Sequence, residues 1–211
     1  MRKKLYAAAL AVVALTFCAC GTMGTSALSG LGGGGGVSGS GSVLGNILST
    51  VLGTKKLTES DLYGAWNYTG SDCVFESENL LMKAGGTVAA AKVESEVNEQ
   101  LQALGIKPGA CSFTFNEDKT FKANIGGRNI SGTYVLDADN KKVTLKTLLG
   151  LGSLTANVAK SGNNLSLLFN SDKLLKLATF AGSLTGSTAI KTLSGIASKY
   201  DGMMIGLQLT K

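Results

Sequence analysis

The sequence predicts a mainly β domain. About eight short antiparallel strands form a meander that can close into a barrel, with one long helical insert after the first strand and helices before the last. Three observations carry this. Alternating segments recur through residues 110–169, each ended by a Gly, Asn or Asp turn. Two stretches, 76–104 and 171–200, switch to helical spacing. A final apolar segment, 203–209, follows Asp201-Gly202 and can pair with the first strand, which removes both sheet edges.

The domain starts at Leu57, where a glycine-rich texture gives way to mixed sequence. Thr58 followed by Asp61 predicts a short helical turn. Residues 64–69 read as the first strand, with Trp66 and Tyr68 on one face. In residues 76–104, Val93, Val97, Leu101 and Leu104 fall on one helical stripe, while Glu94, Glu96, Glu99 and Gln102 take the other faces. Gly85-Gly86 offers a break into two helices, and Gly105 ends the stretch. Strands follow at 110–115, 120–125, 129–136, 142–148, 154–159 and 165–169. Phe113, Phe115, Phe121, Ala123 and Ile125 supply an apolar face across the first hairpin. Ser171 or Asp172 can cap a helix carrying Leu174, Leu177, Ala178, Ala181 and Leu184. A second helical stretch, 189–200, aligns Ile190, Leu193, Ile196 or Ala197, and Tyr200.

The N-terminal region has a different logic. Arg2, Lys3 and Lys4 precede an uncharged apolar run, 5–17, which is the layout of an export signal and too short for a confident membrane span. Cys18-Ala19-Cys20-Gly21 follows. Structural zinc wants four grouped ligands and the redox motif is C-x-x-C, so neither suits this pair in a chain without histidine. The sequence resembles a bacterial lipoprotein signal, with the small Ala19 before the modified cysteine. The resemblance implies a signal peptide at 1–19, acylation of Cys20 by two or three chains, and an anchor in the envelope. The outer membrane is favoured, because Gly21 is not the aspartate of inner-membrane retention. Residues 20–56, with Gly32 to Gly36 in a row, are expected as a lipidated flexible tether. The formal charge of +6 falls to +3 once Arg2, Lys3 and Lys4 are removed, and Arg128 is then the sole arginine. Scattered lysines and an envelope address argue against a nucleic-acid partner.

A strand opening Gly64-Ala65-Trp66, a meander and a closing strand resemble the lipocalin and calycin pattern. Its G-x-W signature implies barrel-floor packing for Gly64 and Trp66. With the lipoprotein signal, the glycine-rich tether, LYGAWNYTG and CVFESENLLMKAGG, nearly the whole chain resembles a lipocalin-like lipoprotein family of Bacteroidales. The long insert departs from true lipocalins, so its helices can cap, enter or plug the barrel.

Two readings of function stand beside each other. An eight-stranded barrel has room for one small ligand or for its own side chains. Phe113, Phe115, Phe121, Tyr134, Leu145 and Phe169 are the expected wall of a hydrophobic ligand site, or equally of a solid core. The alternative is a structural or protein-interaction module, with an apolar patch on a helix over residues 171–188 docking an envelope protein. No catalytic residues, cofactor or metal are expected. Without histidine, Ser-His-Asp and Cys-His chemistry are impossible, and the D-A-D-N segment, 137–140, lacks the later ligands of a calcium loop. Glu76 and Glu78 suit a helix start. Export permits a Cys73–Cys111 disulfide, worth about 3–4 kcal/mol by loop closure. Two buried free thiols are the alternative.

Overall fold

A computed structural model describes residues 48–148, 151–182 and 187–211. The expected signal segment, Cys20 and most of the tether lie outside the described residues, as do positions 149 and 150 of the 148–154 loop and Leu184.

Eight strands form a closed barrel in strict sequence order. They are β1 (Gly64–Phe75), β2 (Cys111–Phe115), β3 (Thr120–Ile125), β4 (Arg128–Asp137), β5 (Lys142–Thr147), β6 (Ser153–Ser161), β7 (Asn164–Asn170) and β8 (Met203–Thr210). Among the described residues five α-helices accompany them: α1 (Leu48–Leu52), α2 (Glu78–Lys83), α3 (Gly86–Ala103), α4 (Ser171–Ala181) and α5 (Thr188–Lys199). The barrel, the insert after the first strand and the helices before the last strand all follow the sequence pattern. Gly85, at φ 102°, breaks the insert into α2 and α3, because a left-handed residue cannot continue a helix.

Up-and-down order gives the barrel two unlike ends. The floor collects the start of β1 and the tight turns 116–119, 137–141 and 161–164. The first two turns each seat a lysine at positive φ, Lys119 at 67° and Lys141 at 50°. Asp137 Oδ1 accepts the Asn140 N–H at 3.0 Å, so D-A-D-N closes a hairpin. All four long helices lie toward the opposite end, the mouth, because each leaves or enters a strand there.

The first strand is longer than expected. A bulge shifts its pairing with β8 between Tyr68 and Gly70. Trp66 and Tyr68 are buried before the shift, and Ser71, Cys73 and Phe75 oppose Leu207, Ile205 and Met203 after it. One extra residue reverses the parity of the inward face, so simple alternation stops at Thr69 while the strand continues to Phe75. β1 pairs with β8 from Asn67 to Phe75, but with β2 only from Gly64 to Asn67. The helix α3 packs against the remainder of β1. There Asn98 Oδ1 of α3 accepts from the Tyr68 hydroxyl and from Ser71 Oγ, each at 3.4 Å, and the Glu94 carboxylate lies close to the backbone N–H of Cys73. Helix side chains thus supply polar partners to the upper part of β1.

The inward residues of all eight strands form one cluster with Val93, Val97 and Leu101 of α3, Leu174 and Leu177 of α4, and Leu193 of α5. A second cluster sits on the outer wall. Val74, Leu168 and Met204 are covered there by Leu48, Val51 and Leu52, so the end of the expected tether folds back as α1. Lys141 fastens that segment by donating to the carbonyls of Leu52 at 2.9 Å and Gly53 at 2.5 Å, and Lys56 pairs with Asp139 at 2.9 Å. A cation on the last carbonyls of a short helix suits both its dipole and its open acceptors.

Asp72 also lies on the outer face of β1 yet is 7% exposed. It accepts from Gln208 Nε2 and, at 3.5 Å, from Ser166 Oγ. Burial raises its pKa above the ordinary aspartate value despite these donors. Glu94 is raised by burial and by the charge of Asp72. A carboxyl with a raised folded pKa favours the fold when protonated. Stability is therefore fully present below the unfolded aspartate value and is lost as pH climbs through the higher folded pKa. Asp72→Asn keeps an acceptor for Gln208 and removes the charge. Thermal melts from pH 4 to 8 are expected to show a higher Tm for Asp72→Asn at neutral pH and a flatter pH slope. A Tm lowered at pH 7 would contradict the burial cost.

Candidate functional site

Three places were candidates from sequence: the barrel interior, the cysteine pair and the C-terminal helical stretch. The interior comes first, because the alternation of β2 to β8 aims most large side chains into it. Phe113, Phe121, Leu145 and Phe169 do converge, together with Ala123, Ile125, Ile130, Leu154 and Leu177. The void between them is about 10 Å³. That is at the lower limit for one water molecule, whereas ligand pockets run to roughly 300–1,000 Å³. Phe115 and Tyr134 lie nearer the floor, edge to face with ring centroids 5.2 Å apart. The Tyr134 hydroxyl donates to the Asn116 carbonyl at 2.8 Å, which ties the ring to the β2–β3 turn. Burial raises this phenol to about 12. The six expected wall residues are all buried, 1–2% exposed or less, and they fill space rather than frame it.

Trp66 lies at the floor, wholly buried, and its Nε1–H donates to the Leu62 carbonyl at 2.7 Å. The Lys211 ammonium sits 4.4 Å from the ring centroid and Lys160 5.7 Å. Gly64, at φ 105°, begins the strand beside the Lys211 side chain. The bond to Leu62 fixes the 3-10 turn of Glu59–Asp61 under the barrel. That turn is the short helical turn expected from Thr58 and Asp61; it carries a capping box, with Thr58 Oγ donating to Asp61 at 2.7 Å.

The mouth is sealed. Leu174, Leu177, Ala178 and Ala181 of α4 are all buried, so this helix turns its apolar face inward. The expectation of an exposed docking patch over 171–188 is corrected accordingly. The α4 cap is Asn170, which accepts the Lys173 N–H at 3.2 Å, rather than Ser171 or Asp172. Part of the packing there is backbone against backbone. A Cβ on Gly105 would lie 3.2 Å from Gly126 Cα, and one on Gly126 would lie 3.1 Å from the Leu104 carbonyl and 3.2 Å from Ala181 Cβ. Both glycines have positive φ, at 84° and 61°. The end of α3, the β3–β4 turn and the end of α4 thus meet at van der Waals distance across the opening.

The expected Cys73–Cys111 disulfide is not formed: both are buried free thiols. The register explains this. Trp66 pairs with Phe113 and Asn67 with Ser112, which brings Cys111 level with Tyr68. Cys73 is five residues further up β1, ~15 Å at the rise of a strand, and a disulfide needs Cα atoms within about 7 Å. Burial alone raises the Cys111 thiol to about 12, and Cys73 is raised by burial and then by Glu94 and Asp72. Thiols held neutral are poor nucleophiles. Among the described residues no group of three or more His, Cys, Asp or Glu is placed to hold a metal, and no helix is long and apolar enough to cross a membrane.

A family model described as a lipocalin-like domain (DUF4923) matches residues 40–211, and the chain belongs to that family. Among solved structures, a DUF4847 family protein from Bacteroides vulgatus ATCC 8482 is 15% identical, over 72% of this chain and 94% of that one, with a TM-score of 0.36. No curated protein gives a significant match.

The thiols give the prediction. Intact-mass measurement of the exported protein, with and without reductant, is expected to show no change from a Cys73–Cys111 bond. Iodoacetamide is expected to label both residues only after denaturation. Loss of labelling at both that reductant restores would contradict the register.

Proposed function

We propose that this lipocalin-like domain is a lipid-anchored, non-catalytic module of the bacterial envelope that works through its outer surface, its barrel being filled by its own side chains. The observation that carries the reading is the 10 Å³ void where a carrier would need hundreds. Phe113, Phe121 and Phe169 occupy the volume that a ligand would take, and α4 stands across the mouth. The lipoprotein-like segment ending at Cys20 supports the anchor, and two or more acyl chains hold a protein firmly to a bilayer. Gly21 supports the outer membrane. In this reading 1–19 is removed, Cys20 carries the acyl chains, and the chain from Gly21 to the start of α1 spaces the barrel from the lipid.

The carrier reading assigns the same interior to a small hydrophobic ligand. It requires α4 to leave the mouth, which would break the close contacts among Gly105, Gly126 and Ala181. Native mass spectrometry of the exported protein decides between the two. The expected spectrum shows protein with its N-terminal lipid and no further stoichiometric mass. A second apolar molecule, bound one to one and released on denaturation, would overturn the filled-barrel reading.

A further inference from the structure

A groove lies beside the floor, outside the barrel interior. Its volume is about 310 Å³, between the end of α1 with the segment that follows it, Lys141 of the β4–β5 turn and the floor end of β6. Its charged lining is Lys55, Lys56, Lys141 and Lys160 against one carboxylate, Asp61. Val51, Leu52, Leu57 and Val158 also line it. We infer that this groove binds a phosphate group, carried by a small soluble molecule or by a lipid headgroup.

The lysines divide the work. Lys141 builds the wall, since its ammonium is given to the Leu52 and Gly53 carbonyls. Lys56 is held at the rim by Asp139. Lys55 and Lys160 face the remaining space. Lys160 donates to the Gly162 carbonyl, and an ammonium carries three donors, so capacity for an anion remains. Asp61 offsets part of the set, since the charges of Lys55 and Lys160 reach it, but it also accepts from Thr58 N–H at 2.9 Å and Thr58 Oγ at 2.7 Å at the head of its own turn, and four lysines face this one carboxylate. Two ammonium groups, with Lys56 and Lys141 beside them, favour a doubly charged ligand over a single carboxylate, and lysine suits phosphate as a point charge. The apolar residues of the lining thin the water around the anion, so each pairing is worth more there than on an open surface. The segment 53–57 is an outer wall of this groove, which gives a physical use to its fastening by Lys141. The inference is independent of whether the barrel interior holds a ligand.

The test is a titration of ¹⁵N-labelled exported protein with inorganic phosphate at constant ionic strength. Amides of Thr54, Lys55 and Ser161 are expected to shift and saturate. The Lys55→Ala, Lys160→Ala pair is expected to bind roughly tenfold more weakly, from the loss of two charge-assisted contacts. Lys55→Arg with Lys160→Arg is expected to keep binding. If Lys160→Ala lowers the melting temperature through its contact with Trp66, Lys55→Ala alone is compared. Titration with short-chain phosphatidylglycerol or phosphatidylcholine below their micellar concentrations then separates the sources. Phosphate binding with the same amide shifts from phosphatidylglycerol but not from phosphatidylcholine, lost in the alanine pair, assigns a headgroup, and phosphate binding without those shifts assigns a soluble ligand. Shifts that do not saturate, or an affinity unchanged in the alanine variants, would overturn the site.

Discussion

Closure of β1 against β8 is the constraint on which the rest depends. Eight strands in sequence order need this one pairing between the ends of the domain, and it runs from Asn67–Thr210 to Phe75–Met203. A closed sheet has no free edge to guard, and the volume it encloses is left to inward side chains or to a small ligand. The bulge after Tyr68 lets one strand serve two surroundings. Below it, β1 is paired on both sides; above it, α3 and Glu94 take over the flank that β2 does not reach.

Large side chains crowd the enclosed volume. Phenylalanines from β2, β3 and β7, with Tyr134, meet near the axis, and α4 supplies Leu177 from above. Helices that leave a strand at the mouth have their apolar faces directed at the opening, so they seal it without a separate lid. The glycines at 105 and 126 allow backbone contact there that any side chain would prevent. With the centre occupied, chemistry is left to the outside. The floor concentrates it, because tight polar turns and several lysines come together around Trp66 and the segment after α1.

Much of this was legible in the sequence. Strands bounded by Gly, Asn and Asp turns were plain, since alternation and turn chemistry agreed over 110–169. The split at Gly85-Gly86 and the Thr58–Asp61 turn were also legible, because each rests on contacts within a few residues. The upper half of β1 was not: a bulge reverses parity, and Ser71 and Asp72 interrupt the apolar pattern. That omission misplaced Cys73 relative to Cys111, since the expected bridge assumed that both sat at the ends of adjacent strands. Sequence named the residues of the interior but not the volume left between them, because six large side chains can line a pocket or fill it. The floor groove was illegible for a different reason. Lys55 and Lys160 are far apart in sequence, and only the fastening of residues 52–56 by Lys141 and Asp139 brings them to one cavity.

The central claim, that the barrel is filled by the chain itself, is tested most directly by a high-resolution crystal structure of protein purified from its native envelope without delipidation. The account predicts density inside the barrel for side chains alone, with at most one water among Phe113, Phe121 and Phe169. Continuous elongated density there, with α4 displaced from the mouth, would contradict it.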